Sequence, residues 1–478
     1  MRLTRRSVLK TLSLASCGIA LGRSGIASAE LPTHVMSTGN PVIPNVGACD
    51  PQVRVYDDHV YMYSTHDASL DNTNFLMNDW WVWHTTDLVN WEMVSVLKPE
   101  QTYFGKPSTQ CWATDAVRRA NKYYFYFSMG PEDVGVVMGD SPAGPWHDPL
   151  KHALIAKGSV KTQARDPGIL QDADGTNYIV FGTFDYYISR LNDDMISLAE
   201  EPRLIHIANP QGPYGPGKTD DKPFLHRRGN KYYLSWGCYY AIGESPYGPY
   251  ECKGSIIQSD RLAPEFRDVS RWKGPKVIPA AWAPKDWLGL DRHGSFFELF
   301  GQWYFICNDQ ALPGTSPFFR NAVLSYVRYK QKGEIDPVRI TTIGVGQYDA
   351  RVGMDATDFF KSSGAVVRER SDGSFEVGEL KDGSHLIYPK VRNLKAGSRL
   401  TISGRSISTE RAQIEVRRGD PTGRQLGKTE VAHGSAQRSG PWQISIPDVR
   451  GTDDLCIVFR SGSRSSRELA AIEHLSFT

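Results

Sequence analysis

One unit of sequence occurs five times in the first two thirds of the chain. Each copy has a polar or ionisable residue, a short strand pattern, a tight turn, and a second strand rich in Tyr, Phe and Trp. The copies begin at Asp50, Asp115, Asp166, Asp221 and His293. A repeat of roughly 50 to 70 residues that contains only short strands is typical of a β-propeller, and five copies predict five blades.

The first residues of the five copies are predicted to lie close together, because the innermost strands of a propeller surround a common axis. Four acids and one histidine would then meet at one end of a central funnel. A single Asp before a strand is often only a turn or cap residue. Five such residues in register favour an active site.

The composition limits the partners that the chain can bind. Its 12 Trp and 22 Tyr residues suit sheet packing, and also stacking on the apolar faces of sugar rings, a role that we predict for Trp83. Five of the 55 basic residues lie in the first 29, which leaves 50 basic and 53 acidic residues. This balance gives no basic face for nucleic acid. We expect a monomer that binds an oligosaccharide or polysaccharide.

The first 29 residues are predicted to be a signal peptide. The stretch from Thr4 to Lys10 resembles the twin-arginine export motif, and Ala27-Ser28-Ala29 is an A-x-A cleavage site. The protein is therefore predicted to be periplasmic or secreted. Residues 14–17 also fit a lipoprotein signal that would anchor the chain at Cys17, although the apolar run before it is very short. No other segment is long and apolar enough to span a bilayer.

The cysteines do not indicate a zinc site. None of the six that follow Cys17 belongs to a CxxC pair. Cys238 and Cys252 flank a possible hairpin and are candidates for a disulfide. The alternative is that they are buried thiols.

The fold class predicted for the whole chain is all-β, without a long amphipathic helix. Residues 30–348 are predicted to form the propeller, with an extended lead-in before Gly47 that would add a strand to the last blade. After residue 346, Trp nearly vanishes, and short alternating strands are separated by turn residues. Residues 349–478 are therefore predicted to form a β-sandwich of the jelly-roll type.

Several of these motifs resemble glycoside hydrolase family 43, whose five-bladed propeller enzymes act on arabinose- and xylose-containing polysaccharides. The resemblance lies in G-A-C-D-P at residues 47–51, C-W-A-T-D at 111–115, A-R-D-P-G-I-L at 164–170, and H-G-S at 293–295. It implies that Asp50 is the general base and that Asp166 tunes the pKa of the general acid. It also implies further substrate-binding residues, which are Trp112, Asp115, His293 and Arg320.

The general acid departs from that family, which has Glu in a motif such as E-G-P-H-L. Here the matching stretch is Asp221-Lys222-Pro223-Phe224-Leu225. Aspartate is one methylene shorter, so its carboxyl would lie ~1.5 Å further back. We predict that Asp221 is the acid. The alternatives are Asp220 or Glu244 as the acid, or a propeller that binds sugar without cleaving it.

The resemblance implies an inverting hydrolase that releases terminal pentoses, with an acid and a base on opposite sides of the glycosidic bond. An α-L-arabinofuranosidase is the leading prediction, and a β-xylosidase or an exo-glycosidase acting on galactan or a rare furanoside is the alternative. No cofactor is expected to be required. A Ca²⁺ ion at the axis, held by His293 through water, or in the C-terminal module, is the alternative. The insertions at 67–79 and 103–110 would either wall a pocket or border an open cleft.

The C-terminal region resembles carbohydrate-binding module family 6. The resemblance lies in I-E-V-R at 414–417, P-T-G at 421–423, G-P-W-Q at 440–443, and the last strand at 472–477. Two positions depart from that family. Gly383-Ser384-His385-Leu386 replaces G-D-W-L, and the usual Asn before the last strand is missing. The module is therefore expected either to bind sugar at another surface or to be a packed appendage.

Overall fold

The computed structural model describes residues 33–258, 261, 291–310, 316, 318–431, 440–462 and 466–478. The predicted signal peptide lies outside these residues. Within them, no helix has the length and apolar character needed to cross a membrane.

Five sheets of three to five strands follow one another along the described chain, and we refer to them as blades one to five; their strand pairs are antiparallel except for one in blade four. Blade one contains β1 His34–Met36, β2 Ala48–Tyr56, β3 His59–Asp67, β4 Met77–Thr85 and β5 Asn90–Leu97. Blade two contains β6 Cys111–Arg119, β7 Lys122–Met129 and β8 Asp133–Gly139. Blade three contains β9 Gly168–Gln171, β10 Asn177–Phe181, β11 Tyr187–Arg190 and β12 Arg203–Leu204. Blade four contains β13 Ile207–Ala208, β14 Phe224–Arg228, β15 Lys231–Trp236, β16 Tyr239–Gly243 and β17 Tyr250–Ser255, in which β13 pairs in parallel with β17. Blade five contains β18 Gly294–Leu299, β19 Gln302–Asp309, β20 Asn321–Tyr329 and β21 Ile335–Asp336.

The innermost strands of the five blades form a closed ring. Strand β2 contacts β6, β6 contacts β9, β9 contacts β14, β14 contacts β18, and β18 returns to β2. This closure confirms the predicted five-bladed propeller. Apolar clusters fill the space between neighbouring blades, so each blade buries its faces against the next one.

The lead-in segment differs from the prediction. Its strand β1 pairs with β5, at the outer edge of blade one rather than in the last blade. The segment reaches blade five through hydrogen bonds, such as Val42 N–H to the Ala322 carbonyl at 2.9 Å, and through the apolar cluster that Val42 and Ile43 share with that blade. Asn40 adds a side-chain bond to the Leu324 carbonyl at 2.9 Å. The lead-in thus fastens blade five to blade one without adding a strand to blade five.

The C-terminal region is a sandwich of two six-stranded sheets, as the sequence predicted. One sheet contains β22 Tyr348–Asp349, β24 Lys361–Ser363, β27 His385–Leu394, β29 Ala412–Arg418, β30 Gln425–Val431 and β32 Gly451–Ser461. The other contains β23 Met354–Asp355, β25 Val366–Glu369, β26 Phe375–Leu380, β28 Arg399–Ser406, β31 Trp442–Ser445 and β33 Ala470–Phe477. Trp442 is 7% exposed and belongs to the core between the sheets.

Polar contacts fix the sandwich to the propeller. Gln302 Nε2 of blade five donates to the Thr357 carbonyl at 2.6 Å, and Lys390 Nζ lies 2.7 Å from an Asp87 carboxylate oxygen of blade one. Arg328 forms an ion pair with Asp358. Two short 3₁₀ turns complete the described elements, at Pro99–Gln101 and Ala356–Asp358.

The six cysteines after Cys17 all lie in the described residues and form no disulfide. Cys238 Sγ lies 3.4 Å from the Ser255 hydroxyl, so the Cys238–Cys252 bridge is not formed. Five of the six are buried, which fits the buried-thiol alternative.

Candidate active site

The topology brings the acids of blades one, three and four and the histidine of blade five to one end of the axis. Asp50 lies in β2, whereas Asp166, Asp221 and His293 come shortly before β9, β14 and β18. Asp50 and Asp166 have left-handed backbone angles, with φ of +49° and +61°. Such angles are uncommon for residues other than glycine, and they concentrate at functional sites.

Asp50 is 3% exposed and is held by three donors from blade five. Its Oδ1 accepts hydrogen bonds from Asn308 Nδ2 at 2.9 Å and from Arg320 Nη1 at 2.8 Å, and it lies 3.2 Å from His293 Nε2. All three contacts are made through Oδ1. Oδ2 is therefore the oxygen that the described residues leave for a water molecule, as a general base requires.

Arg320 is buried directly beside Asp50. It is 2% exposed, and its guanidinium also contacts Asp67 at 2.9 Å and Asp291 at 3.1 Å. Its cation lies 4.9 Å from the centre of the Phe75 ring. The predicted sugar contact does not fit this burial, and the side chain instead holds Asp50 in position.

Asp291 is a member of the site that the sequence analysis missed. Its Oδ1 lies 2.8 Å from His293 Nε2. Burial lowers the pKa of His293, but Asp50 and Asp291 outweigh it and raise the pKa to about 9. His293 is therefore a cation at neutral pH. The available signal was the spacing of Asp291 and His293, because residues two apart in an extended segment point to the same side.

A calcium ion does not fit these residues. Asp50, Asp291 and His293 do place one potential ligand atom each within 4.8 Å of one another. However, calcium takes six to eight oxygen ligands, whereas here Arg320 Nη1 donates to both carboxylates. Protonated His293 adds a second positive charge. Side-chain cations thus already neutralise the two acids.

We expect treatment with excess EDTA, followed by gel filtration, to leave kcat/KM unchanged. The reason is that Arg320 and His293 supply the positive charge beside Asp50. The measurement is the initial rate on an aryl glycoside before and after chelation. Activity that falls on chelation and returns with added Ca²⁺ would show that a metal ion is needed.

Asp221 is a partly exposed acid with a raised pKa at the start of blade four. Its side chain is 29% exposed, and burial raises its pKa to about 6. Asp166 adds to that rise, while Arg165, whose Nη2 lies 3.2 Å from Asp221 Oδ2, opposes it. Asp166 Oδ2 also accepts the backbone N–H of Lys222 at 3.2 Å, so Asp166 contacts the segment that carries the acid. Asp221 therefore holds its proton in mildly acidic solution.

We expect Arg165→Met to move the alkaline limb of the pH–activity profile upward. Arg165 lowers the pKa of Asp221, so its removal leaves the carboxyl protonated to a higher pH, by a shift on the order of one unit. The measurement is kcat/KM against pH for both proteins. Arg118→Met is the control, because Arg118 pairs with Asp57 in the turn at the far end of blade one. A limb that stays in place or moves down would contradict this electrostatic role.

The two alternative acids occupy different positions. Glu244 directly follows β16. The pairing of Gly243 with Tyr232, and of Tyr232 with Arg227, places this end of β16 beside the end of β14 that lies away from Asp221. Glu244 is exposed, at the end of blade four opposite Asp221.

Asp220 is 4% exposed, and its Oδ2 has no hydrogen-bond partner among the described residues. Burial raises the pKa of Asp220, and the neighbouring Asp221 adds to that rise. Asp220 thus remains the competing acid.

Lys222 is a buried cation on the axis, directly after Asp221. It is 1% exposed, and its Nζ donates to the Thr114 carbonyl at 3.0 Å and to the Pro167 carbonyl at 2.7 Å. It therefore connects blades two, three and four. Its φ of +54° is a conformation that favours glycine, the residue that the family motif has at this position.

The remaining predicted binding residues differ in their access to a ligand. Trp112 is half-buried, and the Arg165 cation lies 5.0 Å from the centre of its ring, beside the acid. Asp115 is fully buried, forms an ion pair with Arg54, and accepts the Ile169 N–H at 2.7 Å. Trp83 is fully buried in the apolar cluster between blades one and five. Direct sugar contact by Asp115 or Trp83 does not fit this burial.

The insertion at residues 67–79 folds against blade five. Ser316 N–H donates to the Leu70 carbonyl at 2.8 Å, and Asn72 Nδ2 donates to the Phe318 carbonyl at 3.2 Å. The rings of Phe75 and Phe318 meet edge to face, with centroids 4.9 Å apart. The insertion therefore covers the side of the axis on which Arg320 lies.

Comparisons with known proteins agree with this arrangement. The family model described as Glycosyl hydrolases family 43 matches residues 38–335, and that described as Carbohydrate binding module (family 6) matches residues 355–478. A "Xylosidase/arabinosidase" of Bacteroides ovatus is 27% identical, over 62% of this chain and 95% of its own length. An "Arabinoxylan arabinofuranohydrolase" of Paenibacillus polymyxa is 23% identical, over 97% of this chain and 78% of its own length. The crystal structure of an arabinoxylan arabinofuranohydrolase from Bacillus subtilis covers 92% of this chain and 97% of its own, at 20% identity and a TM-score of 0.52.

Proposed function

We propose that this chain, which belongs to glycosyl hydrolase family 43 and carries a family 6 carbohydrate-binding module C-terminal to its propeller, removes terminal α-L-arabinofuranosyl groups from arabinoxylan. The observation that supports this most is the placement of Asp50, Asp166 and Asp221 at one end of the propeller axis. The relative that matches nearly the whole chain bears the name of that activity. The chemistry of the family needs no cofactor.

The proposed reaction is a single displacement with inversion of the anomeric carbon. Asp221 donates its proton to the glycosidic oxygen as the bond to the anomeric carbon breaks. A water molecule attacks that carbon from the opposite face, and Asp50 takes up the proton of the water. Asp166 and Arg165 set the protonation of Asp221, while Arg320, Asn308 and His293 hold Asp50.

A β-xylosidase is the second candidate. It is supported by the name of the Bacteroides ovatus relative, which combines xylosidase and arabinosidase. The residues that surround Asp50 and Asp221 are compatible with either pentose, because the acid and the base act on the glycosidic bond and not on the distant hydroxyls.

The experiment is hydrolysis of aryl α-L-arabinofuranoside, aryl β-D-xyloside and arabinoxylan, with the released sugar identified by chromatography. Proton NMR of the first product from an oligosaccharide then reports its anomeric configuration. Free arabinose released with inversion supports the proposal. Xylose as the main product favours the second candidate. A protein that binds arabinoxylan but releases no sugar would be a binding propeller, and the proposal would be wrong.

We also propose that the enzyme acts outside the cytoplasm. The support is the pair Arg5-Arg6 followed by the A-x-A site at residues 27–29. Cell fractionation of the wild type and of Arg5→Lys/Arg6→Lys tests this, since the double substitution is expected to retain the chain in the cytoplasm. Export that does not depend on these arginines would contradict it.

A further inference from the structure

Two aromatic side chains stand at the mouth of the site, beside the segment that carries the acid. Phe184 is 50% exposed in the loop between β10 and β11, and Tyr214 is half-buried. Their rings meet edge to face, with centroids 5.6 Å apart and planes at 71°. An exposed Phe ring at a pocket mouth leaves an apolar face available for a ligand.

The backbone holds Phe184 in this exposed position. Its φ is +62°, which is uncommon for a bulky residue and marks a conformation imposed by its surroundings. Its N–H donates to the Asp220 carbonyl at 2.9 Å, and its own carbonyl accepts the Thr219 hydroxyl. The ring is therefore fixed to the residues that lead directly into Asp221.

The other end of the same loop is attached to Arg165, the neighbour of Asp166. Gly182 N–H donates to the Arg165 carbonyl at 2.8 Å, and the Thr183 hydroxyl accepts Arg165 Nε at 2.8 Å. The loop at 182–185 thus bridges the strand starts of blades three and four. Phe184 keeps a fixed position relative to both the acid and the residue that tunes it.

Tyr214 lies on the same side of the site. Burial raises the pKa of its hydroxyl, and the charges of Asp220, Asp221 and Asp291 add to that rise. The ring of Tyr214 contacts Phe184, and the negative charges of these acids act on its hydroxyl. The pair therefore extends from the acid side of the pocket toward solvent.

The chemistry of the acid identifies what lies there. A general acid protonates the oxygen that departs with the leaving group, so the leaving sugar must occupy the acid side of the pocket. The apolar C–H faces of a pyranose stack on aromatic rings. We propose that Phe184 and Tyr214 form the leaving-group subsite and bind a xylopyranosyl ring of the main chain. This assignment rests on the proposed function for the identity of that sugar.

The test uses the full-length protein and Phe184→Asn, because Asn tolerates a positive φ and removes the ring. We expect kcat/KM on an arabinosylated xylotriose to fall about tenfold, the loss of one stacked ring. On methyl α-L-arabinofuranoside, whose leaving group has no ring, kcat/KM should be unchanged. Phe184→Trp should retain the oligosaccharide activity. Leu204→Asn is the control, since it removes an equally exposed apolar side chain from β12 of the same blade.

Calorimetric titration with xylotriose separates this subsite from the proposed function. Wild type and Leu204→Asn are expected to bind xylotriose, with about tenfold weaker binding by Phe184→Asn. If no glycoside is cleaved but this difference is found, the subsite stands and the hydrolase proposal fails. Equal losses of kcat/KM on both substrates, or no loss on either, would overturn the subsite. Equal affinity of wild type and Phe184→Asn for xylotriose would also overturn it.

Discussion

Asp221→Asn is expected to lower kcat on an arabinoxylan oligosaccharide by about 10²–10⁴-fold, because an amide cannot transfer a proton to the departing oxygen. The loss should shrink on an aryl glycoside with an activated leaving group, which departs with little protonation. The measurement is kcat on both substrates. Glu244→Gln, at the opposite end of blade four, is the matched control and should behave as wild type.

Asp220→Asn provides the opposing outcome. Asp220 is adjacent to Asp221 and is buried, and one of its carboxylate oxygens has no hydrogen-bond partner in the part of the chain that the structure describes. If Asp220→Asn produced the leaving-group-dependent loss and Asp221→Asn did not, the acid would be Asp220. Asp221→Glu restores the side chain of the family motif, and retained activity in that variant would show that the site accepts either carboxyl length.

Asp50→Asn is expected to cause a loss of similar size, about 10²–10⁴-fold in kcat, because the attacking water loses its base. Unlike the loss in Asp221→Asn, it should be the same for activated and unactivated leaving groups. Water attack is needed whichever group departs. The measurement is kcat for both substrates, with circular dichroism to check the fold, since Asn308, Arg320 and His293 all contact this side chain.

A loss in Asp50→Asn that depends on the leaving group would contradict the assignment of the base. Asp291→Asn is informative here, because the described contacts of Asp291 are with His293 and Arg320. A milder loss is expected from it. A larger loss than that of Asp50→Asn would instead make Asp291 the base.

The sequence predicted the propeller because each blade repeats one local pattern. Alternation of apolar residues, tight turns and an initial ionisable residue are properties of short segments, so they identify blades without long-range information. The alternation of apolar residues also predicted the short strands of the sandwich, and these strands are present.

The partners of the site residues depend on contacts between blades, which local patterns do not contain. The resemblance to the family implied that Arg320 binds sugar, whereas packing places it between Asp50, Asp67 and Asp291. Trp83 was predicted to stack on a sugar ring, but its side chain is fully buried in the apolar cluster between blades one and five. The pairing of the lead-in strand β1 with β5 of blade one is likewise a contact between distant segments, which a local pattern does not contain.

Lys222 shows what a departure from a family motif can mean. In the sequence, Asp221-Lys222-Pro223 indicated only an acid one methylene shorter than that of the family motif. In the fold, the lysine side chain turns inward and donates to carbonyls of two other blades. That outcome follows from the convergence of inner strands at the axis, where unpaired carbonyls need donors.

The most direct test of the central claim is the pH dependence of kcat/KM for wild type and Asp221→Asn on an arabinoxylan oligosaccharide, whose leaving group must be protonated to depart. Asp221 must be protonated to act, so wild-type activity is expected to fall as the pH rises through about 6. In Asp221→Asn that alkaline limb should be absent. A limb near pH 6 that persists in the variant would show that another group supplies the proton and would contradict the account.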